Sequence, residues 1–149
     1  MDTGMSSIKA IAIKKRPRAQ MQTVDNVQIS VTNGIKGDFR GSQRGRQVTI
    51  LSESAWQKTC HELDTELPWT TRRANLLVDG IEFDATWIGK TLHVGEAELV
   101  VTGETDPCSR MDEQHRGLTA ALTPEWRGGI SCDVIKPGAI KIGDQVEYD

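Results

Sequence analysis

A short polar loop that ends on a cysteine is the first place in this sequence where chemistry could occur. A strand-like run from Leu99 to Thr102 opens into this loop, in which Pro107 precedes Cys108. Arg110 follows two residues after the cysteine. A thiolate is both a nucleophile and a soft metal ligand, and nearby arginines favour the thiolate over the thiol. Cys108 is therefore the candidate catalytic residue and the candidate metal ligand, while a buried and inert cysteine is the alternative.

The remaining cysteines and histidines do not show the spacing of a metal site. No CxxC or Cys/His pattern resembles a structural zinc site, and the three histidines are scattered along the chain. Cys60 falls on a predicted helix and Cys132 in an apolar strand, so we predict that both are structural. Because three cysteines leave at least one thiol unpaired, a compartment that keeps thiols reduced is favoured.

Arginine dominates the basic residues in the middle of the chain. Eight arginines lie between positions 40 and 127, where Lys58 and Lys90 are the only lysines. The planar guanidinium group binds phosphate and carboxylate through two parallel hydrogen bonds. The group of arginines therefore predicts an anion site, although any one of them could be an ordinary surface residue. The basic run at positions 14–18 is expected to be a solvated strand end.

Two further features could contribute donors to such an anion site. Arg73 and Asn75 lie two residues apart at the start of the predicted strand Leu76–Val78, and alternate residues of an extended chain point to the same side. They are a candidate pair of donors to one ligand, with solvent-facing residues as the alternative. The glycine-rich segment 34–41, followed by Arg46, could leave backbone N–H groups free for an anion. It lacks the spacing of a nucleotide-binding P-loop.

The spacing of turns predicts a mainly β protein that forms a single domain over residues 1–149. Turn signals recur about every ten residues and separate seven or eight short strands, which favours a closed or nearly closed β-barrel. One main helix is predicted over Glu53–Leu63 with Ser52 as its N-cap. One or two short helices are also predicted, one of them near Gly117–Leu122.

Composition and charge limit the partners and the location. The net charge of −3 argues against a protein that coats nucleic acid. No apolar run approaches the ~20 residues of a membrane helix, and the first residues lack the basic and apolar regions of a signal peptide. We therefore predict a cytoplasmic protein that binds neither nucleic acid nor membrane.

An ordered series of short motifs carries a resemblance to a known family. In chain order the motifs are Gly34–Asp38, Arg46–Ile50, Arg73–Val78, Ile88–Gly89, Leu92–Gly95, Pro107–Cys108, Arg127–Gly129, Pro137–Gly138 and Gly143–Asp144. Taken together, they resemble the MOSC domain, which is found at the C-terminus of molybdenum cofactor sulfurases. The chain is identified as a small stand-alone member of bacterial type, and the resemblance implies a mostly β fold built around a barrel.

The resemblance also implies roles for particular residues. In the family, the cysteine that Cys108 matches is proposed to carry sulfur or, in amidoxime-reducing relatives, to ligate molybdenum. Arg73 and Asn75 match positions near the pterin cofactor of those relatives. The candidate cofactor-binding residues are Arg73, Asn75, Arg46, Lys36 and Arg127.

Three functions remain open, so the sequence does not decide whether the chain is an enzyme. The first is a domain that binds the molybdenum cofactor, with Cys108 on the metal and arginines on the pterin phosphate. It could serve the reduction of N-hydroxylated compounds with an electron-donor protein as partner. The second is a sulfur carrier that holds a persulfide on Cys108, filled by a cysteine-desulfurase-like donor, for the maturation of metal–sulfur cofactors. The third is an anion-binding barrel without catalysis.

One departure from the family pattern weighs against the reductase role. Many bacterial members have a histidine after the Gly–Asp pair, whereas Phe39 and Arg40 follow Gly37–Asp38 in this sequence. The 149 residues also contain no predicted iron–sulfur or flavin domain. Any reductase activity would therefore need electrons from a partner.

Overall fold

Short strands make up most of the chain. The structure is a computed structural model, and it describes residues 6–148. Within these residues the strands are β1 (Ile8–Ile13), β2 (Gln22–Val24), β3 (Asn26–Ser30), β4 (Gly34–Ile35), β5 (Val48–Ser52), β6 (Leu76–Val78), β7 (Thr91–Val94), β8 (Ala97–Glu104), β9 (Ile130–Lys136), β10 (Gly138–Lys141) and β11 (Val146–Tyr148). The α-helices are α1 (Glu53–Glu62), α2 (Arg110–Gln114) and α3 (Leu118–Leu122), and 3-10 turns cover Trp69–Arg72, Ala85–Trp87 and Pro124–Trp126. The prediction of a mainly β protein with one main helix and one or two short helices is confirmed, and the number of short α-helices is two.

The described strands divide into two sheets. The larger sheet has the order β11-β7-β8-β9-β5-β6-β1-β2, and the smaller has the order β10-β3-β4. Only β5 and β6 pair in parallel among these ladders, and a parallel pair requires a crossover connection. The segment that contains α1 supplies that crossover, so α1 packs beside the centre of the larger sheet.

The predicted closed or nearly closed β-barrel is not supported. The edge strands of the larger sheet, β2 and β11, do not pair with each other, and β3, β4 and β10 form a separate sheet. Near the chain ends, the larger sheet makes only one isolated bridge, between Ser7 and Gln145. Closure requires a continuous ladder with a consistent stagger of register, and turn spacing along a sequence carries no information about that stagger.

The structure also has more strands than the seven or eight that the turn signals predict. The difference comes from very short strands such as β4, which has two residues, and β2, which has three. Strands of this length are too short to show the alternation of apolar and polar residues by which a sequence reveals a strand.

Two apolar clusters hold the sheets and the helices together. The larger cluster contains fully buried side chains of both sheets, such as Ile50 and Ile140. The smaller cluster joins Leu51 of β5 to Trp56 of α1 and Leu118 of α3. Because successive residues of a strand point to opposite faces, β5 contributes Ile50 to one cluster and Leu51 to the other.

The main helix begins and ends close to its predicted limits. The Ser52 hydroxyl accepts a hydrogen bond from the backbone N–H of Ala55 at 3.3 Å and donates one to the carbonyl of Ile81 at 2.6 Å. This N-cap confirms the prediction. Cys60 and Cys132 are both buried, which agrees with the structural roles predicted for them. Among the described residues, no helix is long and apolar enough to cross a membrane.

Candidate functional site

The site is a pocket of about 580 Å³ at the end of β1 and the start of β6. Seven of its lining residues are basic, namely Lys14, Arg18, Arg40, Arg46, Arg72, Arg73 and Arg110. Three are acidic, namely Asp38, Asp106 and Glu113, and Cys108 completes the set of reactive side chains. The pocket is therefore strongly cationic, although the whole chain has a net charge of −3.

The cysteine of the polar loop lies in this pocket and is exposed to solvent, so it is not the buried cysteine of the alternative interpretation. The loop follows β8, and its backbone is fixed at both ends of the cysteine. The Thr105 N–H donates to the carbonyl of Gly129 at 2.9 Å. The Cys108 carbonyl accepts hydrogen bonds from the Met111 N–H at 2.9 Å and from the Thr119 hydroxyl at 2.7 Å. These contacts tie the loop to β9, α2 and α3.

The thiol of Cys132 has a different environment. It is fully buried in β9, and burial raises its pKa well above the ordinary value, with a further contribution from Asp133. This thiol therefore stays protonated and out of reach of solvent. Of the three cysteines, Cys108 alone combines exposure with a basic pocket.

Arg72 is a pocket residue that the sequence analysis did not select. Its side chain is buried, with 7% of the residue exposed. The guanidinium Nε donates to the carbonyl of Gly128 at 3.0 Å, and Nη2 donates to the carbonyl of Thr105 at 2.8 Å. Burial lowers the pKa of Arg72 to about 10, and the proximity of Cys108 opposes this shift. Arg72 therefore remains charged at neutral pH, and it clamps the cysteine loop to the Gly128 segment.

The predicted pair of Arg73 and Asn75 does line the pocket, but not for the predicted reason. The chain is not extended at Arg73, which has φ 68° and ends the 3-10 turn Trp69–Arg72 in the left-handed region. Its Nη2 donates to the carbonyl of Ala19. The turn rather than strand alternation brings the two side chains to one pocket.

Asn75 uses its amide group to hold the pocket wall together. Its Oδ1 accepts hydrogen bonds from the N–H of Thr49 at 3.1 Å and the hydroxyl of the same residue at 3.3 Å. Its Nδ2 donates to the carbonyl of Ala12 at 3.1 Å and to Oδ1 of Asp38 at 3.3 Å. Asn75 is 6% exposed, so its amide joins β1, β5 and the glycine-rich segment.

The glycine-rich segment does not present the free N–H groups that the sequence predicts for an anion. The Phe39 N–H donates to the carbonyl of Lys14, and the Gly41 N–H donates to the carbonyl of Asp38. The Gly45 N–H donates to Oδ1 of Asp133 at 2.6 Å. The first bond joins the segment to the end of β1, the second closes a turn and the third reaches β9, so these donors are not available to an anion. The segment contributes the side chains of Asp38, Phe39 and Arg40 to the pocket.

A cluster of cations lies at the outer part of the pocket, and we call Lys14, Arg40, Arg73 and Arg110 the outer cations. Burial lowers the pKa of Lys14 to about 8, and repulsion from Arg73 and Arg40 adds to this effect. The pKa of Arg73 is also lowered, first by burial and then by Arg110. Lys14 is thus part of the pocket rather than of a solvated strand end. The mutual repulsion of these groups favours an anionic ligand.

Two predicted cofactor-binding residues lie away from this pocket. Lys36 lines a separate pocket of about 550 Å³ beside β3 and β4. Arg127 is 7% exposed and forms ion pairs with Glu62 at 2.8 Å and Glu125 at 2.9 Å. The hydrogen bond that Arg127 donates to Glu62 raises the pKa of Arg127. Arg127 therefore links α1 to the segment after α3. Its guanidinium is not among the groups that line the pocket with Cys108.

A pair of carboxyl groups lies at the border of the pocket. Glu104 and Asp106, together with Arg46, line an adjoining cavity of about 350 Å³, and Asp106 and Arg46 also line the main pocket. Burial, repulsion from Asp106 and a side-chain hydrogen bond with it raise the pKa of Glu104. Burial and mutual repulsion therefore make Glu104 easier to protonate than an isolated glutamate, at a position four residues before Cys108.

Protein ligands for a metal ion are few at this site. Within residues 6–148, no group of three or more His, Cys, Asp and Glu side chains is close enough to hold a metal ion. Cys108 is the soft donor of the pocket.

The structure defines a class of protein in which a mainly β fold holds an exposed cysteine in a cationic pocket. A sequence model of the MOSC domain matches residues 36–147, so the chain belongs to the MOSC domain family. The resemblance seen in the short motifs is thereby confirmed. This family is associated with binding of the molybdenum cofactor.

Solved structures with the same fold support this assignment. The YUAD protein from Bacillus subtilis is 21% identical, with a TM-score of 0.81 over 99% of this chain and 98% of that chain. YiiM from Geobacillus stearothermophilus is 15% identical, with a TM-score of 0.78 over 97% of this chain and 75% of that chain. YiiM from Escherichia coli is 16% identical, with a TM-score of 0.74 over 96% and 69%. At these identities the likeness is one of fold. No curated protein matches the chain.

Proposed function

We propose that this chain binds the molybdenum cofactor in the 580 Å³ pocket, with Cys108 as a ligand of the metal and the outer cations on the pterin phosphate. The observation that carries the proposal is that an exposed cysteine and seven basic residues line one pocket. Arg46 and Asn75 belong to the same wall, Arg46 as a further cation and Asn75 as the residue that positions the wall.

The pocket offers suitable groups for both ends of such a cofactor, which are the metal and the phosphate. A cysteine thiolate is a soft ligand that suits a thiophilic metal. The outer cations suit a phosphate, because guanidinium groups bind it bidentately and a dianion relieves their repulsion. When bound, a molybdenum centre supplies two-electron redox chemistry. The protein would then bind and orient the group, with Cys108 on the metal and the outer cations on the phosphate.

The reaction proposed for such a centre is the reduction of N-hydroxylated compounds. It requires two electrons and two protons for each N–O bond that is converted to N–H and water. An electron-donor protein would supply the electrons, and the solvent-exposed opening of the pocket at Cys108 leaves room for a partner to approach. A cytoplasmic location would suit this role, because thiols stay reduced there.

The metal content of the purified protein tests the cofactor proposal. Protein from a host that makes the cofactor is expected to contain molybdenum in near-stoichiometric amount, and the Cys108→Ala variant is expected to lose it. Cys60→Ala is the matched control, because Cys60 is buried away from the pocket. Arg73→Gln is expected to lower the pterin content, whereas Arg116→Gln, an exposed arginine outside the pocket, is expected to leave it unchanged. Molybdenum that survives in Cys108→Ala would contradict the assignment of the metal ligand.

The exposure of Cys108 also supports a second candidate function, that of a sulfur carrier. The Cys108 thiolate would attack the terminal sulfur of a persulfide on a cysteine-desulfurase-like donor. An S–S bond would form on Cys108 and the donor's own S–S bond would break, with the donor cysteine leaving as thiolate. Cyanide-labile sulfur on wild-type protein that disappears in Cys108→Ala, without molybdenum, would favour this function. If both metal and labile sulfur are absent from the wild-type protein, an anion-binding domain without catalysis remains.

A further inference from the structure

Arg72 is a buried cation that forms no ion pair with a carboxylate in the part of the chain that the structure describes. The residue is 7% exposed. Arg127, which is equally buried, pairs with two glutamates. A buried charge without a partner is costly, so a structure that keeps one generally supplies the opposite charge from elsewhere.

One end of the Arg72 guanidinium has no strong hydrogen-bond acceptor. Nε and Nη2 donate to backbone carbonyls, which fixes the plane of the group. Nη1 donates only to the thioether sulfur of Met111, at 3.6 Å. A thioether is a weak acceptor, so Nη1 retains most of its capacity to bind an anion.

The free end of the guanidinium lies at the cysteine end of the pocket. Arg72, Met111 and Cys108 all line the cavity, and the N–H of Met111 donates to the carbonyl of Cys108, so the acceptor of Nη1 belongs to the segment that carries the cysteine. The charged groups that act on Arg72 are Cys108, Arg46 and Asp106. The outer cations act on one another, and Arg46 acts both on Arg40 and on Arg72, so Arg46 connects Arg72 to the outer cations.

We propose that Arg72 forms an inner anion subsite beside Cys108, which binds an oxyanion group of the ligand, while the outer cations bind a second anionic group. The subsite deepens the proposed function, on which it rests for the identity of Cys108 as the reacting residue. The subsite narrows the class of ligand to a molecule with two anionic ends. One of these ends would lie against the sulfur of Cys108.

Protection of the cysteine from a neutral alkylating reagent tests the subsite in the protein without cofactor. The rate at which iodoacetamide modifies Cys108 is measured with increasing sulfate, against sodium chloride of equal ionic strength. Cys60 and Cys132 are buried, and peptide mass spectrometry confirms the modified residue. Sulfate is expected to slow the modification. The half-protecting concentration is expected to rise about tenfold or more in Arg72→Gln, as for loss of a hydrogen bond to a charged group, and to recover partly in Arg72→Lys.

A second pair of variants leaves Arg72 in place, in case its replacement prevents folding. Met111→Glu puts a carboxylate where the thioether now meets Nη1. This built-in anion is expected to abolish sulfate protection, whereas the neutral Met111→Gln is expected to retain it. Arg116→Gln, outside the pocket, is expected to match the wild type.

Two results would overturn the subsite. One is an absence of sulfate protection in the wild type, or equal protection by chloride, which means an adventitious ion only. The other is protection that is unchanged in folded Arg72→Gln or in Met111→Glu. Neither result depends on molybdenum, so the metal assay of Cys108→Ala would still decide the proposed function separately.

Discussion

Two buried arginines of this protein show how the same side chain serves opposite purposes. Arg127 forms ion pairs with Glu62 and Glu125, and these two carboxylates neutralise its positive charge. Arg72 donates hydrogen bonds to carbonyl oxygens and a thioether, which are neutral acceptors, and its charged side chain lines the pocket. The partners of a guanidinium, rather than its burial, therefore decide whether it can bind a ligand.

Lys14 makes anion binding by the pocket dependent on pH. Its pKa is lowered to about 8, so the side chain loses its positive charge as the pH rises through that value. We expect the affinity for sulfate to fall by roughly fivefold over this transition, because the loss of one charge beside the anion costs about 1 kcal/mol. Isothermal titration at several pH values measures the change.

The matched control for this prediction is Lys14→Arg, which keeps its charge throughout and should show a flat profile near pH 8. A wild-type profile as flat as that of Lys14→Arg would show that Lys14 does not face the bound anion. The lowered pKa of Lys14 also makes the free energy of unfolding depend on pH. Because the folded protein holds the Lys14 proton less tightly than the unfolded chain, this group makes the free energy of unfolding increase with pH between about 8 and 10.5.

At the scale of elements, the cysteine loop and the Gly128–Gly129 segment form one unit. Thr105 pairs with Gly129 through the backbone, and Arg72 bridges the carbonyls of Thr105 and Gly128. A Cβ atom at Gly128 would lie 2.5 Å from the carbonyl oxygen of Thr105 and 3.3 Å from Cδ of Pro107. A side chain at residue 128 would therefore push the cysteine loop away, and Cys108 would lose its observed position.

The substitution Gly128→Ala is expected to displace the cysteine loop. We expect a loss of about 1–3 kcal/mol in the free energy of unfolding, as for overpacking of a close contact, and an altered rate of Cys108 alkylation. Urea denaturation and iodoacetamide labelling measure the two effects.

Gly103→Ala is the control, because a Cβ at Gly103 meets nothing within 4 Å. Its unfolding free energy should change by less than about 1 kcal/mol. If the two alanine variants behave alike, the close packing of Gly128 against Thr105 does not position the loop.

At the scale of the whole molecule, charge is separated between the pocket and the rest of the surface. The chain carries a net charge of −3, yet seven basic residues converge on one cavity. We expect such a separation to concentrate a positive field at the pocket, where it would favour the approach of small anions.

Arg127 belongs to the stability of the whole molecule rather than to the pocket. It hydrogen-bonds the carbonyl of Ala121 at the end of α3 and pairs with Glu62 of α1. We expect Arg127→Gln to lower the melting temperature, measured by circular dichroism, while the half-protecting sulfate concentration for Cys108 stays at the wild-type value. A folded Arg127→Gln protein that no longer binds sulfate would restore Arg127 to the candidate cofactor-binding residues.

The sequence by itself determined the β content, the main helix with its Ser52 cap, and the position of the cysteine loop after β8, but it left the exposure of Cys108 open. These features depend on local signals, namely turn residues, short apolar runs and a capping side chain, which the chain carries wherever it folds. The ordered motifs also led to the correct family, because short segments at fixed order survive where overall identity is low.

Only the tertiary structure decided which cations meet Cys108 and whether the sheet closes. Arg72 and Arg73 are adjacent in the chain, but a left-handed residue after a 3-10 turn sends one guanidinium inward and the other to the outer cations. Lys14 joins them from β1, while Arg127 is diverted by two glutamates. Convergence of distant residues and closure of a sheet depend on register and packing between elements, and no local pattern in the sequence records them.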